Sequence, residues 1–78
     1  MTIGRKIAFL GAGNMAGALI DGLLRAGACA PSEVMAMDVR APRLEELASR
    51  HGIPTSRDLG EATAWADVVV LATKPQVF

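Results

Sequence analysis

The stretch Gly11-Ala12-Gly13-Asn14-Met15-Ala16 constrains this 78-residue chain more than any other feature. It follows the apolar run Ile7-Ala8-Phe9-Leu10 at once. It leads into Met15, Leu19, Gly22, Leu23 and Ala26, which recur at helical spacing and predict a buried face. A strand, a glycine turn and a helix in that order form a G-x-G-x-x-A element in its mechanical context. Gly11 permits the tight turn, Gly13 lets an anionic group reach the backbone, and Ala16 lets helix and strand pack closely. The amides of Asn14 and Met15 then lie at the positive end of the helix, aimed at a pyrophosphate. The plain alternative is a glycine-rich turn that holds no ligand.

The rest of the chain continues the alternation. Arg5 to Leu10 is the first predicted strand, and Gly27 stops the helix that follows. After the Pro31-Ser32 turn, Val34 to Asp38 forms a second strand. Pro42 sits in the first turn of a second helix with Leu44, Leu47 and Ala48 inward, and His51-Gly52 ends it. Ile53 to Thr55 is a weak strand, which Pro54 confines to a sheet edge. Asp58 and Glu61 have capping-box spacing for a third helix running to about Ala66. Val68 to Ala72 is an uninterrupted, mostly β-branched strand of the kind found at the centre of a parallel sheet.

The order βαβαβαβ implies an α/β chain with a parallel sheet and helices on its faces. With right-handed crossovers it becomes a Rossmann-like doubly wound half-domain of strand order 3-2-1-4. The proline-bearing strand then lies on one edge and Val68 to Ala72 on the other. So apolar an edge is a liability. Further strands are therefore expected to cover it, and the chain reads as the first half of a larger dinucleotide-binding domain. Alone, it is expected to self-associate or to be poorly soluble.

Composition narrows the partners. Eight Lys plus Arg balance eight Asp plus Glu. A net charge of zero argues against nucleic acid and membrane surfaces, which both select a basic excess. No apolar run approaches the roughly 18 residues of a membrane span. The single cysteine, Cys29, forms no internal disulfide and excludes a multi-cysteine metal site. A reducing, cytoplasmic setting is expected.

Two further segments belong to the candidate site. Asp38 lies 22 residues beyond Ala16, close to the spacing of about 20 at which a carboxylate reads the adenine ribose. It favours NAD. Arg40, two residues on, suits the 2′-phosphate of NADP. The two charges oppose each other, and each charge pair is worth a few kcal/mol at most at an effective dielectric of about 20. Residues Ala72, Thr73, Lys74, Pro75 and Gln76 leave the last strand at its carboxyl end, beside the switch point where such folds bind ligands.

Taken together, these motifs resemble the pyrroline-5-carboxylate reductase family. That family opens with a strand and a G-A-G-N-M-A turn, as Gly11 to Ala16 do here. It continues into a helix like Ala18-Leu19-Ile20-Asp21-Gly22-Leu23-Leu24. Its second helix often reads R-L-E-E-L, as Arg43 to Leu47 do. Its fourth strand reads A-D-V-V-V-L-A-V-K-P-Q, which Ala66 to Gln76 match except at Thr73. Leu59 also departs, standing where the family often has asparagine. The resemblance covers nearly the whole chain. It implies NADP or NAD as cofactor, with Gly11, Ala12, Gly13, Asn14, Met15 and Ala16 at the pyrophosphate and Asp38 at the adenosine ribose. Ala72, Thr73, Lys74 and Pro75 would flank the nicotinamide half.

The resemblance also implies reduction of 1-pyrroline-5-carboxylate to proline by a cytoplasmic oxidoreductase. In the family, a C-terminal helical domain carries the imino-acid site and the dimer interface. It lies outside residues 1–78, so the chain by itself is expected to be an inactive N-terminal part, and no catalytic residue is assigned within it. The homo-oligomer is expected only with that domain. Two rival readings are another imine or hydroxy-acid reductase with a similar first half, and a non-catalytic nucleotide-binding module. Among the other residues, Cys29, Met35, Met37 and Trp65 are expected to pack, His51 to meet helix-end carbonyls, and Asp21 and Arg25 to pair across one helical turn.

Overall fold

The computed structural model describes residues 4–72. Four strands, β1 (Ile7–Leu10), β2 (Val34–Met37), β3 (Thr55–Ser56) and β4 (Val68–Leu71), form one sheet. Its order is β3-β2-β1-β4, and every neighbouring pair is parallel. Three helices connect them: α1 (Asn14–Arg25), α2 (Ala41–His51) and α3 (Leu59–Trp65). A single 3-10 turn, Pro31–Glu33, precedes β2. This is the expected Rossmann-like half-sheet. The register aligns Ile7 with Val34 on one side and with Val68 on the other.

Side chains alternate between the two faces of β1 and β2, so each strand supplies two cores. Ile7, Phe9, Val34 and Ala36 meet Ala16 and Ile20 of α1 and Leu44 and Leu47 of α2. Ala8, Leu10 and Met35 meet Ala62, with Met37 and Trp65 packed alongside. Two helices therefore cover one face and α3 the other. Right-handed crossovers demand this when the chain steps outward from β1 to β3 and then returns to the far side of β1. Phe9, Ile20, Val34 and Leu47 are fully enclosed, and each contributes roughly 1.5–3 kcal/mol by leaving water.

The helix ends follow local chemistry. Gly27, beyond α1, and Gly52, the C-cap of α2, have φ of +69° and +68°, the left-handed geometry that glycine adopts without strain. Pro42 lies in the first turn of α2, where its missing N–H costs no helical bond.

Three expectations are corrected. First, the buried stripe of α1 is Ala16 and Ile20 with Leu23 and Leu24 beside them, whereas Met15 is 52% and Leu19 46% exposed. The glycine turn fixes the helix's rotation so that the small Ala16, not Met15, faces β1. Second, β3 is Thr55–Ser56, not Ile53 to Thr55. Pro54 offers only its carbonyl, which accepts the Ala36 amide at 3.2 Å.

Third, the capping box on α3 is half formed. Asp58 Oδ1 accepts the Glu61 amide at 3.1 Å, but the Asp58 amide donates to Ser56 Oγ at 3.0 Å and not to Glu61. As the order 3-2-1-4 requires, β4 is an edge among the described residues, with Val68, Val69 and Leu71 exposed. The strands are trimmed at their ends, since Arg5, Lys6, Asp38 and Ala72 fall just outside β1, β2 and β4.

Candidate dinucleotide-binding site

The loop from Gly11 to Gly13 joins β1 to α1 at the carboxyl end of the sheet. Gly11 has φ +106°, a conformation open to glycine alone in practice. Its amide donates to the Met37 carbonyl at 2.8 Å, so the turn hangs from the neighbouring strand. Gly13 is the N-cap of α1 with φ −76° and ψ −170°, which any residue adopts. A Cβ built there meets no atom within 4 Å. Neither the backbone nor internal packing requires glycine at 13. Position 13 therefore opens onto free space at a helix N-terminus, the kind of place that attracts an anion.

The hydrogen-bond partners around the loop agree with that. The amides of Gly13, Asn14 and Met15 find no acceptor among the described residues, and the first helical bond runs from the Gly17 amide to the Gly13 carbonyl at 3.1 Å. No side chain caps α1, and no acid lies in its first turn. These donors therefore suit the diphosphate of a dinucleotide.

Asp38 lies just past β2, at the end of the strand where the sequence places it. It is buried, and both of its oxygens are in use. Oδ2 accepts the Ala12 amide at 2.8 Å and Arg40 Nη2 at 2.8 Å. Oδ1 accepts the Arg40 amide at 2.8 Å and Arg40 Nε at 3.0 Å. Four donors fill the lone-pair directions of a carboxylate. The Arg40 side chain, with the Ala12 and Arg40 amides, holds the Asp38 carboxyl well below the ordinary carboxylate range, against the opposing effect of burial. The same pairing pushes the Arg40 guanidinium up. The Arg40 side chain is 60% exposed, so the pair sits at the surface with its carboxylate inward.

Arg43 was not among the expected site residues. Its Nε donates to the Ala12 carbonyl and its Nη2 to the Gly13 carbonyl at 3.2 Å. Thus Asp38 and Arg43 take opposite ends of the loop's peptide groups. The contacts bridge 26 and 31 positions in sequence. Behind Arg43 a polar groove of about 620 Å³ runs between α1 and α2. It reaches Asn14 at the start of α1 and runs from there along the two helices.

On the other side of β1, Ala72 is buried and its amide donates to the Leu10 carbonyl at 2.9 Å. That places the exit of β4 next to the loop, at the switch point. Thr73, Lys74, Pro75 and Gln76 lie outside the described residues. Cys29 is buried, and its thiol is pushed up by burial and by the Glu33 charge, which keeps it protonated. Asp21 and Arg25 form the expected exposed pair at 3.1 Å.

Fold and site together define an NAD(P)-binding unit of the Rossmann type. The chain belongs to the family described as NADP oxidoreductase, coenzyme F420-dependent, whose model matches residues 6–78. A pyrroline-5-carboxylate reductase of Methanosarcina acetivorans is 40% identical over 92% of this chain. One of Pseudomonas aeruginosa is 45% identical over 91% of it. The chain spans 27% and 26% of the length of those two proteins. A solved pyrroline-5-carboxylate reductase of Coxiella burnetii superposes with a TM-score of 0.84 at 34% identity, covering 91% of this chain and 26% of that one.

Proposed function

We propose that this chain is the N-terminal, cofactor-binding part of a pyrroline-5-carboxylate reductase, the enzyme that reduces 1-pyrroline-5-carboxylate to proline. The observation that carries the reading is the open N-terminus of α1. The Gly13, Asn14 and Met15 amides have no acceptor among the described residues, while the Gly11 and Ala12 amides and the Ala12 and Gly13 carbonyls are tied to Met37, Asp38 and Arg43. The similarity to reductases of that name along nine-tenths of the chain supports the choice of reaction.

Gly11, Ala12, Gly13, Asn14, Met15 and Ala16 form the pyrophosphate cradle, with Gly13, Asn14 and Met15 donating their amides. Asp38 braces the cradle through the Ala12 amide. Arg40 stands at the end of β2, where the adenine ribose binds in such folds. With Asp38 turned inward and saturated, the end of β2 suits NADP better than NAD. Ala72 and the residues after it flank the nicotinamide half. When bound, the reduced nicotinamide supplies the hydride for the imine carbon. These residues supply orientation and charge stabilisation. The imino-acid site and the dimer interface belong to a C-terminal helical domain, and the setting is cytoplasmic.

The test is imine-dependent oxidation of NADPH by the protein that carries this chain. Turnover with 1-pyrroline-5-carboxylate, and none with a 2-keto acid, is expected. Turnover only with a hydroxy- or keto-acid pair would assign a different reductase. Dinucleotide binding without turnover of either would assign a non-catalytic module.

A further inference from the structure

Arg43 lies on the first turn of α2, and its side chain is only 18% exposed. All three guanidinium nitrogens are engaged. Nε meets the Ala12 carbonyl, Nη2 the Gly13 carbonyl at 3.2 Å, and Nη1 the Glu46 carboxylate at 2.9 Å. A planar fork held at three points fixes the groups it touches. Within a planar trans peptide, the carbonyl and the N–H that follows it point in opposite directions. A carbonyl of Ala12 held toward α2 therefore turns the Gly13 amide away from α2. The Gly13 carbonyl also accepts the Gly17 amide at 3.1 Å, so Arg43 and the first turn of α1 together hold it, and with it the direction of the Asn14 amide.

Gly17 supplies an independent observation. It lies inside α1, where alanine is the better helix former, and its φ is not positive. A Cβ at Gly17 would stand 3.1 Å from Arg43 Nη2 and 3.8 Å from Leu47 Cδ2. The first distance is tight, and the atom it would crowd is part of the clamp. The missing side chain leaves the notch in which the guanidinium sits.

We infer that Arg43, seated against Gly17, is a positioning residue for the dinucleotide: it draws back two loop carbonyls and so aims the Gly13 and Asn14 amides at the pyrophosphate. This rests on the dinucleotide reading above. Arg43 acts through the backbone and serves the pyrophosphate, which NADPH, NADH and ADP-ribose share. Its effect is therefore indifferent to the 2′-phosphate, unlike that of Arg40.

The experiment compares Arg43→Gln, Arg43→Lys and Gly17→Ala with the parent in calorimetric titrations against NADPH, NADH, ADP-ribose and AMP. All three variants weaken the three pyrophosphate ligands by one common factor of about tenfold or more, the scale of a misdirected charge-assisted hydrogen bond. AMP, which lacks the pyrophosphate, loses less. Lysine rescues little, because one ammonium cannot bridge both carbonyls. Gly17→Ala melts no lower than the parent, which separates positioning from stability. A loss confined to NADPH would place Arg43 on the 2′-phosphate and overturn the inference, as would unchanged affinity for all four.

Amide NMR spectra without ligand give a second measurement. The Gly13 and Asn14 resonances shift in every variant if Arg43 sets the loop, and unshifted resonances overturn the claim. If the parent binds no dinucleotide, the functional reading fails on its own, while the spectra still decide the role of Arg43.

Discussion

Helix α3 starts at Asp58, whose carboxylate accepts the Glu61 amide at 3.1 Å, and Glu61 adds a second negative charge to the first turn. Helix α1 starts at Gly13, which has no side chain, and its first turn carries no acid. Both ends present the same orphan amides and the same positive end of a helix dipole. One is closed by its own chain, and the other is left open while the loop before it is held by Asp38 and Arg43 from outside. A capping residue at position 13 would stabilise the helix by about 1 kcal/mol in place of alanine and by only tenths in place of glycine. The small stability forgone at α1 leaves space and donors for a ligand. The contrast is what the proposed binding role of the glycine turn requires, while α3 begins in the ordinary way of a structural helix.

The substitution that breaks the contrast most strongly is Gly13→Val. Valine fits the backbone angles and its Cβ meets no atom of the protein within 4 Å, so the melting temperature is expected to stay near that of the parent. The pyrophosphate, however, loses access to two or three charge-assisted donors worth about 1.5–3 kcal/mol each. NADPH affinity then falls by at least about 100-fold in a calorimetric titration.

Next in size is Asp38→Asn, which loosens the support of the open end. The Asp38 pKa is lowered, chiefly by the Arg40 side chain. The folded state therefore binds that proton more weakly than the unfolded chain does. The stabilisation is fully present above the unfolded value of about 3.9 and is lost as the pH falls through the lowered folded value. The variant is expected to lose about 1–3 kcal/mol at neutral pH, the cost of weakening the bond to the buried Ala12 amide. Its stability should also fall less steeply than the parent's below about pH 4. Denaturant melts at pH 7 and at pH 3 check both statements.

Asp58→Ala sharpens the contrast from the closed end. Removing that cap costs about 1 kcal/mol of stability, read as a lower denaturation midpoint. Dinucleotide affinity does not change, because α3 is across the sheet from α1. A binding defect in this variant would erase the distinction between the two helix starts.

What could be read in the sequence was local. The turn Gly11 to Ala16, the glycine stops at 27 and 52, Pro42 in a first turn and the cap at Asp58 each depend on a few neighbouring residues. The parallel order 3-2-1-4 followed from alternation and handedness. The misreadings share another cause. The rotation of α1 is set by how the glycine turn seats Ala16 on β1, and the apolar spacing of Met15 and Leu19 does not report it. The clamp of Arg43 on Ala12 and Gly13 spans 31 and 30 positions. Nothing in R-L-E-E-L marks its first residue as a partner of the loop. Asp38 was found by its spacing, but its saturation by Arg40 depends on how one guanidinium folds back on the strand end. The absence of a side chain at Gly17 was the available signal for the clamp, but Gly22 in the same helix carries no such contact, so the sequence does not single it out.

The most direct test of the account is a calorimetric titration of the protein with NADPH and with NADH. The account predicts saturable binding of both, tighter for NADPH because Arg40 is exposed and Asp38 is engaged inward. A protein that melts cooperatively yet takes up neither dinucleotide would contradict it, since the amides at the start of α1 would then be open for no ligand of this class.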